Sequence, residues 1–168
     1  MTVVLKVGGA STRGIAAAVA AFDGPVCVVH GAGPQITEAM ARRGLEPTFV
    51  HGRRVTTAAV LEIVCESLAA VNAEICAALG PCALPLAGDA IGLEAQHLPE
   101  LGFVGDARPA APAAVVEALA AGLVPVVSPL ARGPLNVNAD EMAAALAVGI
   151  GARKLSFLTD VPGVYRDG

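Results

Sequence analysis

Short apolar, β-branched runs alternate with helix-period segments along this sequence, which predicts an α/β fold. The expected arrangement is three layers, a mainly parallel sheet with helices on both faces. Two further observations point the same way. The runs at 2–7, 26–29, 82–86, 123–128 and 154–159 are short and apolar, as strands covered on both faces are. The polar clusters Gly8-Gly9, Gly31 to Gly33, Asn136 to Asp140 and Asp160 all follow strands. That is the carboxyl edge, where ligands of parallel sheets sit.

Composition narrows the possibilities. The chain has 168 residues, enough for one domain with a core, and is 55% apolar and 15% charged, so it is globular. A net charge of −4 argues against nucleic acid as a partner. With no window of roughly 18 unbroken apolar residues, no membrane span is expected. The first residues form a strand-like run carrying Lys6 rather than a signal peptide, so the expected location is cytoplasmic. Cys27, Cys65, Cys76 and Cys82 have no Cys-x-x-Cys spacing. Each sits in an apolar run, so all four are expected to be buried free thiols, with no metal site.

The elements follow in order. The strand 2–7 carries Lys6, a charge in an otherwise apolar run: either it snorkels from an edge, or it stands beside a phosphate at the next Gly turn. Residues 12–22 form an Ala-rich helix. The strand 26–29 leads through His30-Gly31-Ala32-Gly33 into a helix that Pro34 suits as an opening residue and Gly44 caps. Such a turn aims backbone N–H groups and the helix dipole at one spot, an anion site, although neither standard phosphate motif fits. Residues 46–56 read as a hairpin turning at His51-Gly52, with Arg53 and Arg54 near the tip or on the return strand. There an arginine is either solvated charge or a bidentate carboxylate clamp. Residues 57–79 form the longest helix, with Val60, Leu61, Val64, Leu68, Val71, Ile75 and Leu79 in its stripe. That stripe covers the sheet or meets a second subunit. After the strand 82–86 comes a loop at 87–92. Residues 93–106 are mixed, with a short strand at 103–104. A helix follows at 110–121. In the strand 123–128, Pro125 marks a strand start or bulge. A polar cluster at 134–140, a helix at 141–148, the strand 154–159 and a loop complete the chain.

In this order the sequence resembles the amino-acid kinase superfamily, most closely its N-acetylglutamate kinases. The matching stretches are Lys6-Val7-Gly8-Gly9, Val29-His30-Gly31-Ala32-Gly33-Pro34-Gln35, Gly52-Arg53-Arg54-Val55-Thr56, Leu101-Gly102-Phe103-Val104-Gly105, Asn136-Val137-Asn138-Ala139-Asp140 and Leu158-Thr159-Asp160-Val161-Pro162-Gly163-Val164. The resemblance implies the carbamate-kinase-like fold. It also implies transfer of the ATP γ-phosphoryl to the side-chain carboxylate of N-acetyl-L-glutamate, the second step of arginine biosynthesis, with Mg²⁺ carried in by ATP. In that light Lys6 and Asp140 are the catalytic residues: Lys6 neutralises the transferring phosphoryl and Asp140 orients lysine. Gly31, Ala32 and Gly33 hold the acceptor carboxylate, and Arg54 with Asn136 grips its α-carboxylate. Gly8, Gly9, Asp160, Val161, Pro162, Gly163, Val164 and Tyr165 belong to the nucleotide.

The sequence departs from the family in places. Ala32 replaces the middle Gly of a Gly-Gly-Gly turn, which is tolerable if its φ is negative. The usual Asp-Gly-Leu-Arg-Val-Thr-Asp reads His51-Gly-Arg-Arg-Val-Thr-Thr57. Family members continue for roughly another third of their length, with a second catalytic lysine and most of the adenine pocket. Residues 1–168 are therefore read as a single domain holding the acceptor portion, with the nucleotide portion only begun. The expectation is measurable acetylglutamate binding, weak ATP binding and near-background transfer; ordinary turnover would require another lysine, such as Lys154, to serve. A homodimer through the helix 57–79 is expected, without an arginine-linked hexamer. Alternatives are a kinase for another acyl-amino acid such as an aminoadipate, a non-catalytic acetylglutamate-binding module, and a dimerising scaffold.

Overall fold

A computed structural model describes residues 1–8 and 14–158. In chain order its elements are β1 (Val3–Val7), α1 (Ile15–Ala20), β2 (Val26–His30), α2 (Gly33–Arg42), β3 (Phe49–Val50), β4 (Arg53–Arg54), α3 (Ala58–Leu79), β5 (Ala83–Ala87), β6 (Ala95–His97), β7 (Val104–Ala107), α4 (Ala113–Ala120), β8 (Val124–Ser128), β9 (Leu130–Ala131), β10 (Leu135–Val137), α5 (Ala139–Gly149) and β11 (Lys154–Leu158). The main sheet runs β11-β1-β2-β8-β5, and every pairing in it is parallel.

The period-two alternation of strands explains the layering. Val3, Leu5 and Val7 of β1, with Val26 and Val28 of β2, face a core shared with Ile36 of α2 and Val64, Leu68 and Ile75 of α3. Val4, Cys27, Val29 and Val127 face the opposite core, closed by Val115 of α4 and Met142 and Leu146 of α5. Both faces of the sheet are thus covered, as the sequence predicts.

Helix α3 starts at Thr57, whose hydroxyl accepts from the Val60 N–H at 3.4 Å, and stops at Gly80 with φ +73°. Pro125 is the second residue of β8, and pairing with β2 begins only at Val126, so it marks a strand start. The hairpin is present: β3 and β4 pair antiparallel across His51-Gly52.

Several expectations change. Cys27 is buried, and burial pushes its thiol up to about 12, but Cys65 and Cys76 are only half-buried and Cys82 is exposed. Cys82 closes a 3₁₀ turn, Gly80–Cys82, before the edge strand β5 rather than opening that strand. The helix read at 110–121 begins at Ala113, because Pro112 holds residue 111 out of the helical region. A second sheet, β6-β7-β10-β9, occupies stretches where the sequence pattern predicts only one short strand and a polar cluster. Its strands have two to four residues, too short for periodicity to reveal. The expectation of no membrane-length segment is also qualified. Residues 58–82 have mean hydropathy 1.5, long and apolar enough to span by length and composition. Scattered Glu62, Glu66 and Glu74 break the apolar run yet leave its mean at 1.5, and in the fold this helix packs on the sheet.

Candidate functional site

Strand parity turns Lys6 to the same face as Val4, towards α5. Its ammonium, on a side chain only 16% exposed, lies 2.9 Å from Oδ1 of Asp140. Asp140 is placed by the start of α5, where the Asn138 side chain accepts from the backbone N–H groups of Asp140 (2.8 Å) and Glu141 (3.3 Å). A lysine inside a strand is therefore neither snorkelling nor alone: it meets a carboxylate at a helix N-terminus.

The turn after β2 is built in steps. The Gly31 N–H donates to the Val7 carbonyl at 3.0 Å, extending the ladder with β1. Ala32, at φ −142°, is the N-cap of α2, and Gly33 and Pro34 open the helix. That negative φ is one an alanine adopts without strain.

Arg54 lies on β4 and is 7% exposed. Its guanidinium stacks over the Phe49 ring (4.6 Å) and donates to Thr37 Oγ1 (2.9 Å), the Gly33 carbonyl (3.3 Å) and the Met40 sulfur (3.3 Å). Burial lowers its pKa, as expected for a desolvated cation. The hairpin thus pins Arg54 against the first turns of α2. Asn136 on β10 joins from the second sheet: its Nδ2 donates to Thr56 Oγ1 (3.1 Å), and that hydroxyl donates to the Arg54 carbonyl (2.8 Å). Arg54 and Asn136 are linked through Thr56, a residue whose role the sequence did not single out.

These groups border one cavity of about 370 Å³. Of the residues picked out in the sequence, Lys6, Gly8, Gly31, Ala32, Gly33, Arg54, Asn136 and Asp140 all line it. The N-termini of α2 and α5 both open on it, and the cations Lys6, Arg53 and Arg54 outnumber Asp140 on its wall. With Lys6 paired to Asp140 and Arg53 to Asp106 and Glu141, Arg54 and the two helix N-termini are what suit this wall to an anion. Gly8 contributes space rather than its donor, since its N–H bonds to the Leu158 carbonyl at 3.3 Å. Gly9 and Asp160, Val161, Pro162, Gly163, Val164 and Tyr165 lie outside the described residues. Lys154 does not join the cavity. It opens β11 beside Val3, at the opposite edge of the sheet, with its ammonium 5.2 Å from the Phe22 ring centre.

Two further groups stand near the site. Arg53 bridges Asp106 (3.1 Å) and Glu141 (2.8 Å), tying the hairpin to β7 and α5. Burial raises the Glu141 pKa, partly offset by Arg53. Behind the turn, His30 is fully buried with Asn72 and Ser128. The sequence carries a faint signal of this: Val26-Cys27-Val28-Val29-His30 and Val124-Pro125-Val126-Val127-Ser128 each end on a polar residue at a core-facing position.

Comparison with known proteins bears on the family and the fold. The amino acid kinase family matches over residues 1–168. The acetylglutamate kinase of Thermus thermophilus is 42% identical over 98% of this chain, which spans 69% of that protein. That of Frankia alni is 42% identical over 99% of this chain, which spans 56% of it. Among solved structures, smu.665 of Streptococcus mutans superposes with a TM-score of 0.90 at 26% identity, covering 99% of this chain and 76% of that one.

Proposed function

The chain belongs to the amino acid kinase family, and on that premise we propose that its cavity holds N-acetyl-L-glutamate as acceptor of the ATP γ-phosphoryl. The observation that carries this reading is the convergence on one cavity of the Lys6–Asp140 pair, two helix N-termini and the buried Arg54. Acetylglutamate is a dianion, with one carboxylate at each end of its chain. Its side-chain carboxylate lies against the backbone N–H groups of Ala32 and Gly33 at the start of α2. Its α-carboxylate meets Arg54 and Asn136 at the other end. That pairing favours a free α-carboxylate over a carrier-linked aminoadipate.

The chemistry asks little else of the protein. An acceptor carboxylate oxygen forms a bond to the γ-phosphorus while the bond to the β-phosphate bridging oxygen breaks, and ADP leaves. The acceptor is ionised near neutral pH, so no proton has to be removed and no general base is needed. What the reaction needs is alignment and cancellation of charge. Ala32, Gly33, Arg54 and Asn136 align the acceptor. Lys6, oriented by Asp140, faces the phosphoryl in flight. Gly8 leaves room for phosphate beside β1, with Gly9 and Asp160 to Tyr165 assigned to the nucleotide. Among the described residues there is no cluster of three or more His, Cys, Asp or Glu able to hold a metal. Mg²⁺ would enter with ATP, held mainly by phosphate oxygens, and would supply charge neutralisation there.

A homodimer is part of the proposal. The solvent face of α3 carries the small residues Ala69, Ala70, Ala73, Ala77 and Ala78, which let a second helix approach closely, and β5 leaves a sheet edge open beside it. The proposed location is cytoplasmic.

The test is calorimetry of acetylglutamate against the chain, paired with hydroxylamine trapping of the acyl phosphate in the presence of ATP. Binding is required by both readings; trapped product once the chain is extended to its relatives' length supports the kinase, its absence there favours the acetylglutamate-binding module, and failure to bind removes the assignment.

A further inference from the structure

We propose that His30 is a positioning residue for the acceptor turn, a neutral imidazole that holds the Gly31–Ala32 peptide by its carbonyl and so aims the Ala32 N–H into the cavity. The role rests on the acceptor reading above, but its geometry is independent of it.

The network fixes the imidazole's tautomer. Asn72 of α3 donates through Nδ2 to the Val126 carbonyl at 2.9 Å; a carbonyl only accepts, so the amide orientation is set. The same Nδ2 lies 3.1 Å from His30 Nε2 and 3.2 Å from Ser128 Oγ, while Oδ1 accepts from the Cys76 thiol at 3.5 Å. A donor facing Nε2 makes that nitrogen the acceptor. Ser128 Oγ, 3.2 Å away, also fits as a donor to it. The ring proton therefore sits on Nδ1, which lies 3.4 Å from the Gly31 carbonyl.

A peptide unit is planar and trans, so its C=O and N–H point in opposite directions. Holding the Gly31 carbonyl on the buried side turns the Ala32 N–H the other way, towards the cavity wall that Gly31, Ala32 and Gly33 line. An imidazolium would set a second N–H against the Asn72 amide. Burial agrees, lowering the His30 pKa to about 4. The chain thus invests a buried Asn, Ser and His, from α3, β8 and β2, in one backbone carbonyl.

The experiment compares His30→Asn, whose amide can present a donor where Nδ1 stood, with His30→Leu, which has none. Three readouts are taken on the whole chain: the ¹⁵N signature of the His30 ring, the exchange rate of the Ala32 amide without ligand, and the acetylglutamate dissociation constant. The expected results are an Nδ1–H tautomer, Ala32 exchange and shift altered in His30→Leu but near native in His30→Asn, and acetylglutamate affinity weakened roughly tenfold in His30→Leu and largely restored in His30→Asn. An Nε2–H tautomer, or a native Ala32 amide in His30→Leu, overturns the proposal. If His30→Leu unfolds, the tautomer of the native chain and the His30→Asn amide still decide. If the native chain binds no acetylglutamate, the functional reading fails while tautomer and amide exchange judge His30 separately.

Discussion

Lys6 shows how one side chain gains its meaning from a neighbour far along the chain. Alone it is a charge in an apolar strand; with Asp140 at 2.9 Å it is a held point charge on the cavity wall. In a chain extended to its relatives' length, Lys6→Ala is predicted to lower acyl-phosphate formation by about 10²–10³-fold, as loss of one positioned electrostatic donor does, while acetylglutamate affinity stays within about twofold. Hydroxylamine trapping and calorimetry separate the two, and equal losses in both would assign Lys6 to acceptor binding instead. His30 makes a second prediction, on stability. Its folded pKa of about 4 lies below the ordinary 6.5, so between those values the unfolded chain binds more protons than the folded one. Stability should therefore fall as pH drops from 6.5 towards 4, by up to about 3 kcal/mol, and level off below. Glu141, whose pKa is raised, works in the opposite sense near the carboxylate range, so the informative quantity is the difference between native chain and His30→Asn. Denaturation at several pH values should show this slope in the native chain and its loss in the variant; parallel curves would contradict it.

At the scale of elements, the hairpin and the second sheet do the positioning. The β3–β4 hairpin carries Arg54, and Thr56 ties it to Asn136 and to Gly102 through a parallel bridge. Gly102 has φ +81°, and a Cβ there would meet the Thr56 carbonyl oxygen at 2.3 Å. Gly102→Ala is predicted to cost about 1–3 kcal/mol, from left-handed backbone strain and a backbone clash, and to weaken acetylglutamate binding by misplacing Thr56. Thermal denaturation with calorimetry checks both, and a variant native in both would refute the docking role. Arg53→Leu should be mild by contrast, under about 1 kcal/mol, because its partners Asp106 and Glu141 are partly exposed. It should raise the Glu141 pKa further by removing the cation that lowers it, which a carboxylate NMR titration reads directly. This level was half legible in the sequence. His51-Gly52 between extended runs announced the hairpin, and the three- and four-residue spacing of Val60 to Ile75 announced α3. The strands β6, β9 and β10 did not announce themselves, and β7 did so only as a short strand at 103–104: they are short, polar in part, and stabilised by neighbours distant in sequence rather than by any local pattern.

For the molecule as a whole, the parallel sheet brings residues from Lys6 to Asp140 to one carboxyl edge, and alternation of strands and helices made that edge predictable. Which residues would meet there was read from ordered motifs, and the described ones do share a cavity. What stayed hidden was the support behind them. Asn72 reads as one polar position in a helical stripe, and only the register of β2 against β8 shows that it faces His30 and Ser128. Thr56 likewise gains its role only when Asn136 arrives from β10. The central claim is that this one cavity takes both carboxylates of acetylglutamate, and titration calorimetry of acetylglutamate against the native chain and Arg54→Ala tests it most directly. Measurable binding is expected for the native chain, with a loss of about 1.5–3 kcal/mol in the variant, roughly ten- to 150-fold in affinity. Native affinity in Arg54→Ala, or heat from neither protein, would contradict it.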